Sequence, residues 1–152
     1  MVESGGGAPA KLVSELEALL GLWRRRYGAR PIPERSRFDA FELDPWARHI
    51  AWIEAGPGDT FRVRGFGIEL IRRFGREATN ESIDDLALDI ASGMREALWK
   101  TMATAAPVAT EASVQLGRQA ARFSELILPL ARDPKRISLF LLASYEVGTG
   151  SG

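Results

Sequence analysis

Leu12, Val13, Leu16, Leu19, Leu20, Trp23 and Tyr27 recur at helical spacing, and at 100° per residue they fall within a stripe about 120° wide. The spacing predicts an amphipathic helix over residues 10–28, with one buried face and Gly28 as its stop. Arginines in its last turns suit the negative end of the helix dipole. "RPIPERSRF" cannot continue that helix, because Pro31 and Pro33 favour extended backbone. "HIAWIEA" (49–55) and "TFRVRGF" (60–66) read as two short strands across the turn signal "GPGD". "GIELIRRFG" reads as one short helix closed by Gly75. Ser82, Asp84 and Asp85 then supply helix-start chemistry. A long helix is expected from there to about Ala105, with Ile83, Leu86, Ile90, Met94, Leu98 and Met102 on one face.

The last third is strand. "VATEASVQL" alternates, with Val108, Thr110, Ala112, Val114 and Leu116 on one side, and "RFSELILPL" and "ISLFLLASYEV" follow across "ARDPKR". The final run is apolar at both parities, which predicts a strand covered on both faces. Residues 1–9 and 148–152 are expected to be a disordered and a flexible tail, leaving 29–147 as the main domain behind the helix.

Composition narrows the chemistry. The chain has 152 residues, 45% of them hydrophobic and 26% charged, as expected of one ordinary globular domain. No stretch approaches the ~20 apolar residues that span a bilayer. "MVESGGGAPA" lacks the basic start and apolar run of a signal peptide, so a cytoplasmic location with no membrane partner is expected. There is no cysteine and one histidine, His49. That removes disulfides, thiolate nucleophiles, zinc–cysteine and iron–sulfur sites and polyhistidine metal sites. No metal and no cofactor are expected, neither haem nor covalently attached flavin.

Several motifs invite a sharper reading. Gly65, Gly67 and Gly75 sit between a strand and a helix, but the third lies too far on for a dinucleotide fingerprint, and no G-K-[ST] follows for a P-loop. Glu81, Asp84, Asp85 and Asp89 match a helix start better than a metal site. Arg24, Arg25, Arg26, Arg30, Arg35 and Arg37 face a single Glu34, a run that could grip nucleic-acid phosphates; the zero net charge favours a solvated helix end with salt bridges and no nucleic acid. His49 with Asp39 or Asp44 would suit a small hydrolase or isomerase on an α+β cone, which needs perturbed carboxylates in a pocket. Met94 and Met102, beside Ala87, Ala91, Ala97 and Thr101, make a soft helix face that serves as core or as a pocket wall.

The order helix, two strands, short helices, long helix, three strands resembles a PAS domain. Trp23, "RPIPERSRFD" (30–39), "LDPWARHI" (43–50), "FRVRGFGIELIRRFGRE" (61–77) and "LPL" (128–130) together resemble a bacterial, alphaproteobacterial-type family of single-domain PAS-like proteins. That resemblance covers Trp23 to Val147 and departs where Asn80 stands in place of an expected glycine. It implies an α+β fold: a PAS-like five-stranded antiparallel sheet with helices on one face, behind the N-terminal helix. It also implies sensing or protein interaction in signal transduction without catalysis, the signal passing to a separate signalling protein. We expect a small, mostly apolar cavity for a small hydrophobic ligand between the long helix and the sheet. Its helix wall would be Met94, Leu98 and Met102, with Ile68, Ile71 and Phe74 from the short helix, and its sheet wall Leu126, Leu128, Phe140 or Leu142. Thr101 and Ser138 are the nearest polar groups expected. A homodimer is expected through Leu12, Leu16, Leu19, Leu20, Trp23 and Tyr27, with Trp99 and Leu88 of the long helix as further contacts.

Overall fold

The computed structural model describes residues 12–26, 32–86, 88–133 and 136–150. Helix α1 (Ser14–Arg25) carries Glu15 and Glu17 in its first turn and Arg24 and Arg25 in its last, each matching the dipole. A capping box between Asp39 and Glu42 starts the one-turn α2 (Ala40–Leu43). The hairpin β1 (Ile50–Ala55) and β2 (Phe61–Phe66) turns at Pro57–Asp59, where Gly58 has φ 67°. Then come α3 (Leu70–Phe74), α4 (Leu88–Thr104), β3 (Val108–Leu116), β4 (Gln119–Asp133) and β5 (Arg136–Gly150). The strands form one open antiparallel sheet in the order β2-β1-β5-β4-β3. The α+β fold with a five-stranded antiparallel sheet is thus the architecture expected from the sequence.

Two apolar layers sandwich that sheet. On one face, Ile53, Phe61, Phe140 and Leu142 meet Leu70 and Phe74 of α3 and Ile90, Met94 and Leu98 of α4. On the other, Leu16, Leu19, Leu22 and Trp23 of α1 meet Leu126, Leu128 and Leu130 of β4 and Leu139 and Leu141 of β5. The central β5 therefore buries both parities, as its continuous apolar run predicts. Pro129 sits in β4 beyond the reach of β3, whose pairing ends at Val108 opposite Ile127. Its missing N–H breaks no ladder there, and its carbonyl accepts from the Trp23 indole N–H at 3.0 Å.

Two expectations need correction. Ser82 does cap, accepting from the Asp84 N–H, but it opens only a 3-10 turn (Ile83–Asp85). Leu86, at ψ 166°, ends that turn, and α4 starts at Leu88. The strand β5 also runs on to Gly150, with Gly148 and Gly150 opposite Arg122 and Ala120, where a tail was expected from residue 148. Asn80, standing where a glycine was expected, takes a left-handed conformation, φ 71°, and its N–H bonds to the Val63 carbonyl at the free edge of β2.

The glycines of the strand-to-helix turn serve packing. A Cβ on Gly67 would lie 2.4 Å from the carbonyl oxygens of Ala47 and Arg48, both backbone and unable to yield cheaply. Gly67→Ala should therefore destabilise the fold by about 1–3 kcal/mol, the range for overpacking, as read from its urea midpoint. An unchanged midpoint would mean that the turn at 44–49 gives way.

Candidate functional site

Helix α3 buries Leu70, Arg73 and Phe74, and Arg73 is 3% exposed. A guanidinium reaches that depth only with a partner, and Glu125 of β4, 5% exposed, supplies it. Arg73 Nε donates to the Glu125 carboxylate, and Nη2 donates to Oε1 at 3.1 Å. Ser144 of β5 donates its hydroxyl to Glu125 Oε2 at 2.8 Å. The guanidinium lies 5.8 Å from the ring centres of both Phe74 and Phe123. Its third nitrogen, Nη1, is buried with no hydrogen-bond partner among the described residues. Next along the helix, Arg72 holds Glu146 through two bonds of 2.7 and 3.3 Å, so two arginines clamp this short helix to the sheet.

Beside the ion pair lies a cavity of about 280 Å³ between α4 and the β3–β4 side of the sheet, with Arg73 and Glu125 in its wall. Helix α4 contributes Ile90, Gly93, Met94, Glu96 and Ala97. The strands contribute Thr110, Glu111, Ala112, Ser113, Val114, Ile127 and Leu142 besides Glu125. Gly93 is exposed, and a Cβ there would meet nothing within 4 Å.

The expected wall residues divide. Met94 and Leu142 line this cavity. Phe74, Leu98 and Phe140 are buried in the same apolar layer, with Met102 half-buried against it, but none of the four lines the cavity. Ile68 and Ile71 are 62% and 41% exposed, which corrects their assignment. The buried positions of α3 are 70, 73 and 74, and that spacing turns 68 and 71 outward. Leu126 and Leu128 belong to the α1 face, so the β4 residues turned toward α4 are Phe123, Glu125 and Ile127. The cavity is also less apolar than expected. Neither expected polar group joins it: Thr101 donates to the Ala97 backbone carbonyl of its own helix, and the Ser138 hydroxyl is buried without a partner among the described residues.

Helix α1 presents its stripe to its own sheet. Leu16, Leu19 and Trp23 are at most 2% exposed there, and Leu12 and Leu20 pack against the same layer. Leu16, Leu19 and Trp23 are therefore not free for a second copy, while Leu12 and Leu20 are half-buried; Tyr27 and the side chain of Leu88 lie outside the described set, and Trp99 is 40% exposed. The arginine run is partly spent inside the fold, since Arg35 stacks 4.2 Å over Trp52 and Arg26 pairs with Glu42.

Residues weighed for catalysis stand apart from the cavity. Asp39 caps α2, and Asp44 is exposed in a 3-10 turn. His49 has Nδ1 3.3 Å from the Ser144 carbonyl oxygen and stacks on Tyr145 at 4.0 Å. Burial first, and then the Glu15 carboxylate, pushes the Tyr145 hydroxyl up to about 12, so it stays a neutral phenol near pH 7. Among the described residues no group of three or more His, Asp or Glu could hold a metal ion, and no helix is long and apolar enough to cross a membrane.

Sequence reasoning missed Arg73, Glu125 and Ser144. The available signal was Glu125 itself, a lone carboxylate inside the apolar run "RFSELILPL" that must find a cation if it is covered. The chain matches no protein-family model and no curated protein, so the reading of this site rests on its own geometry.

Proposed function

We propose that the chain is a PAS-type sensory and protein-interaction domain in signal transduction, without catalysis of its own, that responds to a small guest held between α4 and the sheet. The observation that carries this reading is the cavity of about 280 Å³ against α4, walled on one side by a buried ion pair that ties α3 to the sheet. A guest there touches α4 and the α3 clamp together, so its binding can bias how both helices sit on the sheet. The order of elements and the five-stranded antiparallel sheet support the PAS assignment made from the sequence motifs. Output then passes to a separate signalling protein or a second copy of the chain, with Trp99 on the outer side of α4 as the exposed anchor. Such a domain is cytoplasmic and needs no cofactor.

Native mass spectrometry of the purified protein tests the reading. The expected result is a chain carrying a small molecule that is lost on denaturation. A chain that stays bare after exposure to a metabolite extract would contradict it.

A further inference from the structure

We infer that β3 is the docking edge for a second copy of the chain, the two β3 strands pairing antiparallel across a two-fold axis at Ser113 and joining two sheets into one. This goes beyond the ligand-site reading and does not depend on it.

The two ends of the sheet are built differently. β2 is six residues long and carries the exposed Arg62 and Arg64. Residues 80–82 cover its outer side: the Val63 N–H donates to the Glu81 carbonyl, the Asn80 N–H to the Val63 carbonyl, and a β-bridge joins Arg62 to Ser82. Shortness, charge and cover are the devices that keep an edge from pairing. β3 has nine residues, an unbroken register against β4, and no proline, lysine or arginine. Among the described residues no backbone group pairs with its outer side. A long, regular edge in that state is a template for another strand.

The chain itself supplies the matching strand. A two-residue turn at Gly117, φ 64°, and Arg118 joins β3 to β4, so the closing pair Leu116–Gln119 exchanges both its backbone hydrogen bonds. Alternation from that pair aims the N–H and C=O of Ala109, Glu111, Ser113 and Gln115 outward. Two-fold pairing centred on Glu111 would set two carboxylates opposite each other, and centring on Ala112 would make them diagonal neighbours. Centred on Ser113, each Glu111 faces Gln115 of the second copy, and the two carboxylates stand about 13 Å apart along the strands. The Gln115 amide spends one N–H on the Gly117 carbonyl at 3.0 Å and keeps the other for that carboxylate. Glu111, Ser113 and Gln115 are all exposed. The covered β2 edge then stops growth at two chains.

Sedimentation velocity of the full chain across the micromolar range tests this. The protein is expected to pass from monomer to dimer with no larger species. Gln115→Lys puts an ammonium opposite each Glu111 carboxylate and should tighten the dimer roughly fivefold, while Gln115→Glu should weaken it by a similar factor. Ser113→Pro removes an outward N–H at the centre of the seam, a change that a free edge tolerates and a paired one does not, and should weaken the dimer roughly tenfold or more. Gln115 is exposed, so the two charge variants read the seam even where Ser113→Pro fails to fold. A chain that stays monomeric to millimolar concentration overturns the inference. So does a dimer whose affinity the two charge variants do not move in opposite directions, or an assembly that grows past two chains.

Discussion

Removing either member of the buried ion pair alone is expected to cost the protein about 3–5 kcal/mol, because the survivor is left charged and uncompensated in the core. Glu125→Ala strands the Arg73 guanidinium and frees the Ser144 hydroxyl, both of which point at that carboxylate. Arg73→Met strands the carboxylate with only Ser144 to satisfy it. Replacing both together, Arg73→Met with Glu125→Leu, removes the charges and their desolvation penalty, so most of the loss should be recovered. The adjacent Arg72–Glu146 pair is the internal control. Its side chains are 53% and 29% exposed, so Arg72→Met should cost no more than about 1 kcal/mol. Urea unfolding of these variants, with Glu125→Leu alone to close the double-mutant cycle, gives the coupling energy directly. Equal losses for Glu125→Ala and Arg72→Met would mean that water reaches the Arg73–Glu125 pair.

A comparable loss is expected on the opposite face. Trp23→Ala should destabilise by about 3–5 kcal/mol, the usual range for emptying a buried aromatic site. The indole is 2% exposed and fills the gap between α1 and the Leu128–Leu130 stretch of β4. Trp23→Phe separates the terms: it keeps most of the packing but leaves the Pro129 carbonyl without its donor, for about 1–3 kcal/mol. These values follow only if α1 covers its own sheet. A Trp23→Ala variant that keeps its stability but changes its oligomeric state would show that α1 serves a second copy.

Much of the fold was legible because local pattern and tertiary demand agreed. β2 buries Phe61 and Val63 and exposes Arg62 and Arg64, so its alternation could be read directly. β5 could be recognised as doubly covered because both its parities are apolar. That same property hid the orientation of β4: with leucine and isoleucine at successive positions, only the carboxylate of Glu125 distinguishes the two faces. Reading Glu125 as a buried group would have turned Leu126 and Leu128 toward α1 and sent the search to α3 for a cation, where Arg73 stands three residues after Leu70. The start of α4 failed for a different reason. Ser82 carries a genuine cap signal, but the 3-10 turn it opens is too short to reveal its end in sequence. Nor could helical periodicity in the methionines separate Met94, which lines the cavity, from Met102, which packs against its apolar neighbours. That separation depends on where β3 and β4 stand beneath the helix.

The two methionines also provide the most direct test of a guest beside the ion pair. The chain has three methionines, Met1, Met94 and Met102, so carbon-13 labelling of their ε-methyl groups yields three resolvable signals. On titration with a small apolar probe such as ethylbenzene, the Met94 methyl should shift in proportion to saturation while Met102 and Met1 stay in place. Movement of Met102 with Met94 unmoved, or no movement of either at a saturating concentration, would contradict a ligand site between α4 and the Arg73–Glu125 pair.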